Sequence, residues 1–249
     1  MARTLTDTEA AHERAVKEMF AGIAGRYDLL NHVLSLNIDR SWRRKVRREL
    51  ADILSRPESV VLDVACGTGD LALELQQDAV ARVIGTDFCR PMLTIAADKS
   101  RVQSPKPKVA RSSLALVESD AMNLGFSDDT FDGVTIAFGL RNLPSYENGL
   151  RELFRVLKPG GKLVILECSH PRLPVFRELY DFYFNTVLPR IGGVVSGSRA
   201  AYTYLPNSVA KFPDKKTLAA MMERTGFAEI KFQSLTGGVA ALHSGVKTG

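Results

Sequence analysis

The stretch "VLDVACGTGDLALEL", residues 61–75, constrains the fold of this chain more than any other. An apolar run ends in Gly67-Thr68-Gly69, and leucines and alanines at helical spacing follow. That order reads as strand, glycine turn and helix. Glycines let backbone come close to a ligand, and the free N–H groups at the start of the helix favour an anionic group. Chains hold nucleotide-like cofactors in this way. The spacing also satisfies Gly-x-Gly-x-x-Ala, a permitted dinucleotide fingerprint, so these residues alone do not choose a cofactor. A tight βα turn with no ligand is the plain alternative.

From Ser59 onward, strand and helix alternate. Strands are expected over 59–64, 82–86, 114–118, 131–137 and 162–167, with helices near 70–77, 90–100 and 146–157. Such alternation implies βαβ units and an α/β fold whose mostly parallel sheet is covered on both faces. Residues 8–50 read instead as helical, with periodic apolar positions at Val16, Met19, Phe20 and Ile23 and again at Leu29, Leu30, Val33 and Leu34. We divide the chain into an N-terminal helical cap, 1–56, belonging to the same domain, and a core, 57–249, with a substrate insertion near 171–213. At the far end, "FAEIKFQSLTGGVAALHSGVKT" offers two strands joined through Gly237-Gly238, a hairpin expected to add an antiparallel edge.

Asp87 closes "RVIGTD" twenty residues after Gly67. An acid there accepts hydrogen bonds from both ribose hydroxyls of an adenosine, in NAD as readily as in S-adenosylmethionine. Asp120-Ala121 follow the third strand, where the carboxylate can accept from an adenine amino group and Ala121 offers its N–H. "LFRVLKPGGKLVILE" is a helix ended by Pro159 and a glycine pair that leads into the next strand. In this order the stretches from 60 to 167 resemble class I S-adenosylmethionine-dependent methyltransferases. The resemblance implies a Rossmann-like, mostly parallel seven-stranded sheet with an antiparallel C-terminal hairpin strand and an N-terminal helical layer. It places S-adenosylmethionine ahead of the rival, an NAD-dependent oxidoreductase.

The net charge of +5 is concentrated in "DRSWRRKVRREL". This run is either attracted to phosphate, in nucleic acid or at an anionic membrane surface, or is a solvated helix face with Trp42 and Val46 turned inward. An Asn/Asp-Pro-Pro-aromatic tetrapeptide after the fourth strand would mark an amino-methylating nucleic-acid enzyme; that place holds "AFGLRN". The Pro-Cys of pyrimidine C5-methylation is also absent, so nucleic acid is not the expected acceptor. Cys66, Cys89 and Cys168 form no CxxC pair, and no apolar run reaches the length of a spanning helix or of a signal segment. The expected setting is cytoplasmic, with peripheral contact at the inner face of the membrane and a homodimer both left open.

"MFAGIAGRYDLLNHVLSLNIDRSWRR", "TIAFGLRNL", "RVLKPGGKLVILECSHP", "AYTYLPNSVAKFP" and "TGGVAALHSG" occur in that order. Together they closely resemble the quinone-biosynthesis C-methyltransferase family, over roughly residues 16–245. The family methylates demethylmenaquinol or the related ubiquinone benzoquinol precursor, and the overall likeness favours demethylmenaquinol. Carried over by position, Thr68, Asp87, Asp120 and Ala121 would contact S-adenosylmethionine beside Gly67 and Gly69. Some members carry serine where this chain has Ala137, and that contact is missing here. A prenylated quinol is the implied partner, and no metal is expected.

Ring-carbon methylation needs an electron-rich ring, which a hydroquinone provides once a hydroxyl loses its proton. Arg141 and Asn142, just beyond the fourth strand, are expected to stabilise the oxyanion and orient the second oxygen. The competing reading pairs Arg141 with an acid such as Glu147. Tyr27 and Asp28 come from the helical layer, expected to lid the crevice, and His170 is a candidate base. Phe176, Leu179, Tyr180, Tyr183 and Val187 share one helical face that would suit a prenyl tail, a bilayer, a core or a dimer contact.

Overall fold

A computed structural model describes residues 6–35, 37–77, 79–103, 114–169 and 199–249. His170 and the Phe176–Val187 stripe lie outside the described residues, as does most of the expected insertion.

The N-terminal layer is α1 (Asp7–Ile23), α2 (Tyr27–Ser35), α3 (Asp39–Glu49) and the short α4 (Ala51–Leu54). Thr6 and Glu9 close a reciprocal capping box at the head of α1. Beyond it the chain alternates as β1 (Val60–Val64), α5 (Asp70–Gln76), β2 (Arg82–Asp87), α6 (Arg90–Gln103), β3 (Ala115–Glu118), β4 (Phe131–Ala137), α7 (Tyr146–Val156) and β5 (Leu157–Cys168). Two helices, α8 (Arg199–Lys211) and α9 (Lys215–Thr225), lead into β6 (Phe227–Leu235) and β7 (Ala240–Lys247).

The seven strands lie in the order β3-β2-β1-β4-β5-β7-β6, and β7 runs against both of its neighbours. The hairpin adds the antiparallel edge expected from the sequence. Its second strand lies beside β5, and the first becomes the outer strand. A difference concerns Lys158–Gly161. The expected glycine turn bulges out of a strand that has already begun, since Leu157 pairs with Phe131 and pairing resumes at Gly133 with Lys162.

Strand alternation divides the core in two. Leu163 and Ile165 of β5 pack with α7 and α9 through Leu150, Leu153, Leu218 and Met222. Val164 and Leu166 face the other way, toward Val46 of α3 and Leu71 and Leu75 of α5. Burying each such side chain contributes about 1.5–3 kcal/mol, and the β5 run from Leu163 to Leu166 is apolar throughout and closed by Glu167. Among the described residues no helix is long and apolar enough to cross a membrane.

Candidate functional site

The sheet order reverses between β1 and β4, and a cleft opens beyond their carboxyl ends, where parallel sheets hold ligands. It encloses about 700 Å³ of space continuous with solvent. Ala65 and Phe138 leave these two strands with φ of 52° and 55°, and both line the cleft. A left-handed non-glycine residue costs about 1–2 kcal/mol, so the crossing carries strain at both strand ends. Gly69 meets two demands at once. Its φ is 84°, and a Cβ there would stand 2.9 Å from that of Ala96 on α6.

Asp87 ends β2 with its carboxylate held between two turns. Oδ2 accepts from Gly67 N at 2.8 Å and Oδ1 from Cys89 N at 2.8 Å. Burial raises its pKa, and the two backbone donors oppose that rise. Each oxygen keeps a further lone pair for a ligand. Asp120 accepts from Met122 N at 2.8 Å, and burial raises its pKa too. Gly67, Asp87, Asp120 and Ala121 all face the cleft, whereas Thr68 and Gly69 stand behind it. Gly69 caps α5, and the Thr68 hydroxyl donates to Asp28. Asp63, inside the sheet, accepts from Thr135 at 2.7 Å through Oδ1, while its buried Oδ2 has no hydrogen-bond partner. Burial pushes its pKa up to about 7, with the charge of Asp87 adding to the rise.

Beyond β4 the cleft is lined by Phe138, Asn142, Leu143 and Pro144, while Tyr27 packs with Phe88 and Met92 and stands 3.7 Å from where a Cβ on Gly67 would lie. Asn142 donates through Nδ2 to Phe138 O at 3.1 Å and accepts from the Tyr204 hydroxyl at 3.1 Å, so its amide is held from both sides. His12 of α1 meets the Asn142 carbonyl at 3.2 Å. Burial raises the pKa of Tyr27, keeping it a donor at neutral pH. Arg141 is not among the lining residues. Its guanidinium is buried and bonds Glu167 at 2.7 Å and the Phe138 carbonyl. The acid is Glu167, not Glu147, and it also accepts from the N–H groups of Arg141 and Cys168. Burial works against the Arg141 charge, but Glu167 holds it firmly protonated.

The helical layer closes over the cleft through Glu13, Val16 and Phe20 of α1. Burial, and then the nearby Asp120, raise the pKa of Glu13. An ionic chain pins the layer down: Asp28 of α2 pairs with Lys99 of α6, which pairs with Asp70 at the head of α5, which pairs with Arg43 of α3. Glu13, Phe138, Glu167 and Tyr204 escaped the reading of the sequence. Only Glu167 carried a signal there, as the one acid ending the apolar run "KLVILE".

The ubiE/COQ5 methyltransferase family model matches residues 7–247. A demethylmenaquinone methyltransferase of Deinococcus radiodurans is 47% identical, covering 94% of this chain and 93% of its own. The ubiquinone/menaquinone biosynthesis C-methyltransferase UbiE of Geobacter sp. is 45% identical over 93% of this chain and 96% of its own. Among solved structures, a chain from the complex of the Haloferax volcanii Trm112 methyltransferase activator with a methyltransferase superposes with a TM-score of 0.63. It is 16% identical, with 92% of this chain and 98% of that one covered. Haemonchus contortus phosphoethanolamine N-methyltransferase 2, in complex with S-adenosyl-L-methionine, gives 0.54 at 17% identity, over 81% of this chain and 53% of that one. Both share the fold, which is the methyltransferase sheet expected from the motifs.

Proposed function

The chain belongs to the ubiE/COQ5 methyltransferase family, and from that premise we propose that it C-methylates demethylmenaquinol with S-adenosylmethionine as donor. One observation carries the reading: a single cleft has the Asp87 and Asp120 carboxylates beyond β2 and β3, Asn142 beyond β4, and Tyr27 lining it beside Gly67.

The donor suits the end beyond β2 and β3. Asp87 would take the ribose hydroxyls, Asp120 the adenine amino group and Ala121 N–H a ring nitrogen, with Phe88 and Met92 as apolar walls. Gly67 lets backbone approach, and its N–H already steadies Asp87. When bound, the donor supplies an electrophilic methyl group on a sulfonium. All remaining work falls to the protein: aligning a ring carbon with that methyl, excluding water and favouring the ionised quinol.

A phenolic hydroxyl with a pKa of about 10 is mostly protonated at neutral pH, so an anionic quinol oxygen needs stabilisation. Tyr27 and the Asn142 amide touch that oxygen or its partner across the ring. Arg141 acts as a positioning residue, clamping the turn that presents Asn142. Its field, partly offset by Glu167, favours negative charge near Tyr27. Val16 and Phe20 cap the cleft against solvent. The oxidised quinone lacks a nucleophilic ring carbon, so only the reduced form reacts.

Product mass spectrometry with labelled donor and each reduced quinone tests this. Demethylmenaquinol gains one labelled methyl; gain only on the benzoquinol precursor assigns the chain to the reaction named for its ubiquinone relatives, and gain on neither overturns the proposal. Asn142→Ala should lower kcat about 100-fold with donor affinity near normal, and unchanged turnover removes Asn142 from the chemistry.

A further inference from the structure

The basic run of α3 divides by face. Arg43 turns inward to Asp39 and Asp70, and Arg47 reaches Glu74 and the Gln77 carbonyl. Arg40, Arg44 and Arg48 are exposed, Lys45 half-exposed, and none of the four has an ion pair among the described residues. At about 100° per residue, the three arginines fall within an arc of about 80°, opposite buried Val46 and Leu50. Like charges at i, i+4 and i+8 repel along the helix, and nothing within the described fold offsets them.

A second, independent feature lies on the same helical layer. Leu29 of α2 is 55% exposed and Ile38, at the head of α3, 36%. They are two of the six large apolar side chains exposed among the described residues, and their helices pack together. A cationic ridge and exposed aliphatic side chains on one helical layer together make the composition of an interfacial surface, with charges for headgroups and apolar groups for the acyl boundary.

The inward face of the same helix reaches the site. Trp42 lies with its ring centroid 6.0 Å from that of Phe138, and Tyr27 begins α2; Phe138 and Tyr27 both line the cleft. The ridge and the cleft wall are thus separated by little more than the width of one helix, about 10 Å.

We propose that the outer face of α3, through Arg40, Arg44, Lys45 and Arg48, with exposed Leu29 and Ile38 on the same helical layer, docks on anionic phospholipid and brings the cleft to the bilayer surface. This deepens the proposed function, because a prenylated quinol is itself a lipid, but the docking is measurable without any turnover.

The test compares the full chain with R40Q/R44Q/R48Q and with K216Q/R224Q/K231Q. The second triple removes the same charge from α9 and from the outermost strand, β6. Sedimentation with phosphatidylglycerol vesicles should show binding that phosphatidylcholine vesicles do not support and that salt weakens. Removing three near-surface charges should weaken it about a hundredfold. The α9 and β6 variant should stay within a few-fold of wild type. The α3 variant should melt at or above the wild-type Tm, because repulsion is relieved, so lost binding cannot be read as lost folding. It should also methylate a short-tailed, water-dispersed quinol normally while losing rate on long-tailed quinol embedded in vesicles. Equal vesicle binding by wild type and the α3 variant overturns the proposal, and so does equal loss in the α9 and β6 variant. Binding of a nucleic-acid duplex in preference to the vesicles overturns it as well. Failure to methylate either quinol, with vesicle binding as described, would sink the quinol reading and leave the docking surface standing.

Discussion

The two ends of the cleft are held by opposite means. At the donor end, Asp87 and Asp120 are steadied by backbone N–H groups at 2.8 Å, with no ion pair to either carboxylate among the described residues. At the acceptor end, the strongest charge is already spent: Arg141 and Glu167 are buried against each other at 2.7 Å. A carboxylate held by backbone keeps acceptor capacity for a ligand, whereas a buried ion pair mainly fixes the shape of what surrounds it. The first end is built to bind and the second to position.

Breaking the positioning pair should give the largest effect. Glu167→Gln leaves the Arg141 charge buried and uncompensated, at about 3–5 kcal/mol of stability, which lowers Tm by about 10 °C in a chain of this length. Replacing both partners with apolar residues should recover much of that loss, and a Glu167→Gln protein melting like wild type would erase the contrast between the two ends.

Asp63, inside the sheet next to the donor end, sharpens the comparison through pH. Its folded pKa of about 7 lies above the usual carboxylate value, so the folded state keeps a proton that the unfolded chain releases near pH 4. Stability must then fall as pH rises between those two values and stay reduced above them, by at most about 4 kcal/mol. Thermal melts should show wild type losing more Tm than Asp63→Asn between about pH 4 and pH 7. Parallel curves would mean that Asp63 is ionised throughout. The smallest effect in free energy should be the most selective. Asp87→Ala should weaken S-adenosylmethionine binding about 10- to 100-fold by calorimetry, with little loss of Tm beside the Glu167 variant.

The same contrast explains what the sequence disclosed. The donor end is made of strand ends and one glycine turn, each local in sequence, so Gly67, Asp87, Asp120 and Ala121 could be picked out from periodicity and spacing before being found around one cleft. The acceptor end gathers His12, Asn142, Glu167 and Tyr204 from remote parts of the chain. No local pattern marks Tyr204 as the partner of an asparagine 62 positions earlier. Motif likeness drew attention to Arg141 and Asn142, but adjacency hid that one faces the cleft and the other faces Glu167. The hairpin was legible but its order was not: turn chemistry joins two strands without saying which of them the sheet accepts as its inner neighbour.

That hairpin has a consequence for biogenesis. The strand synthesised last of the seven, Ala240–Lys247, is the one that welds β6 to the rest of the sheet, pairing with β5 on one side and β6 on the other. Until it leaves the ribosome, β5 presents an open flank and β6 has no strand to pair with, so a nascent chain carries two sticky borders at once. A transcript cut short before Ala240 would yield aggregate rather than a slightly smaller enzyme.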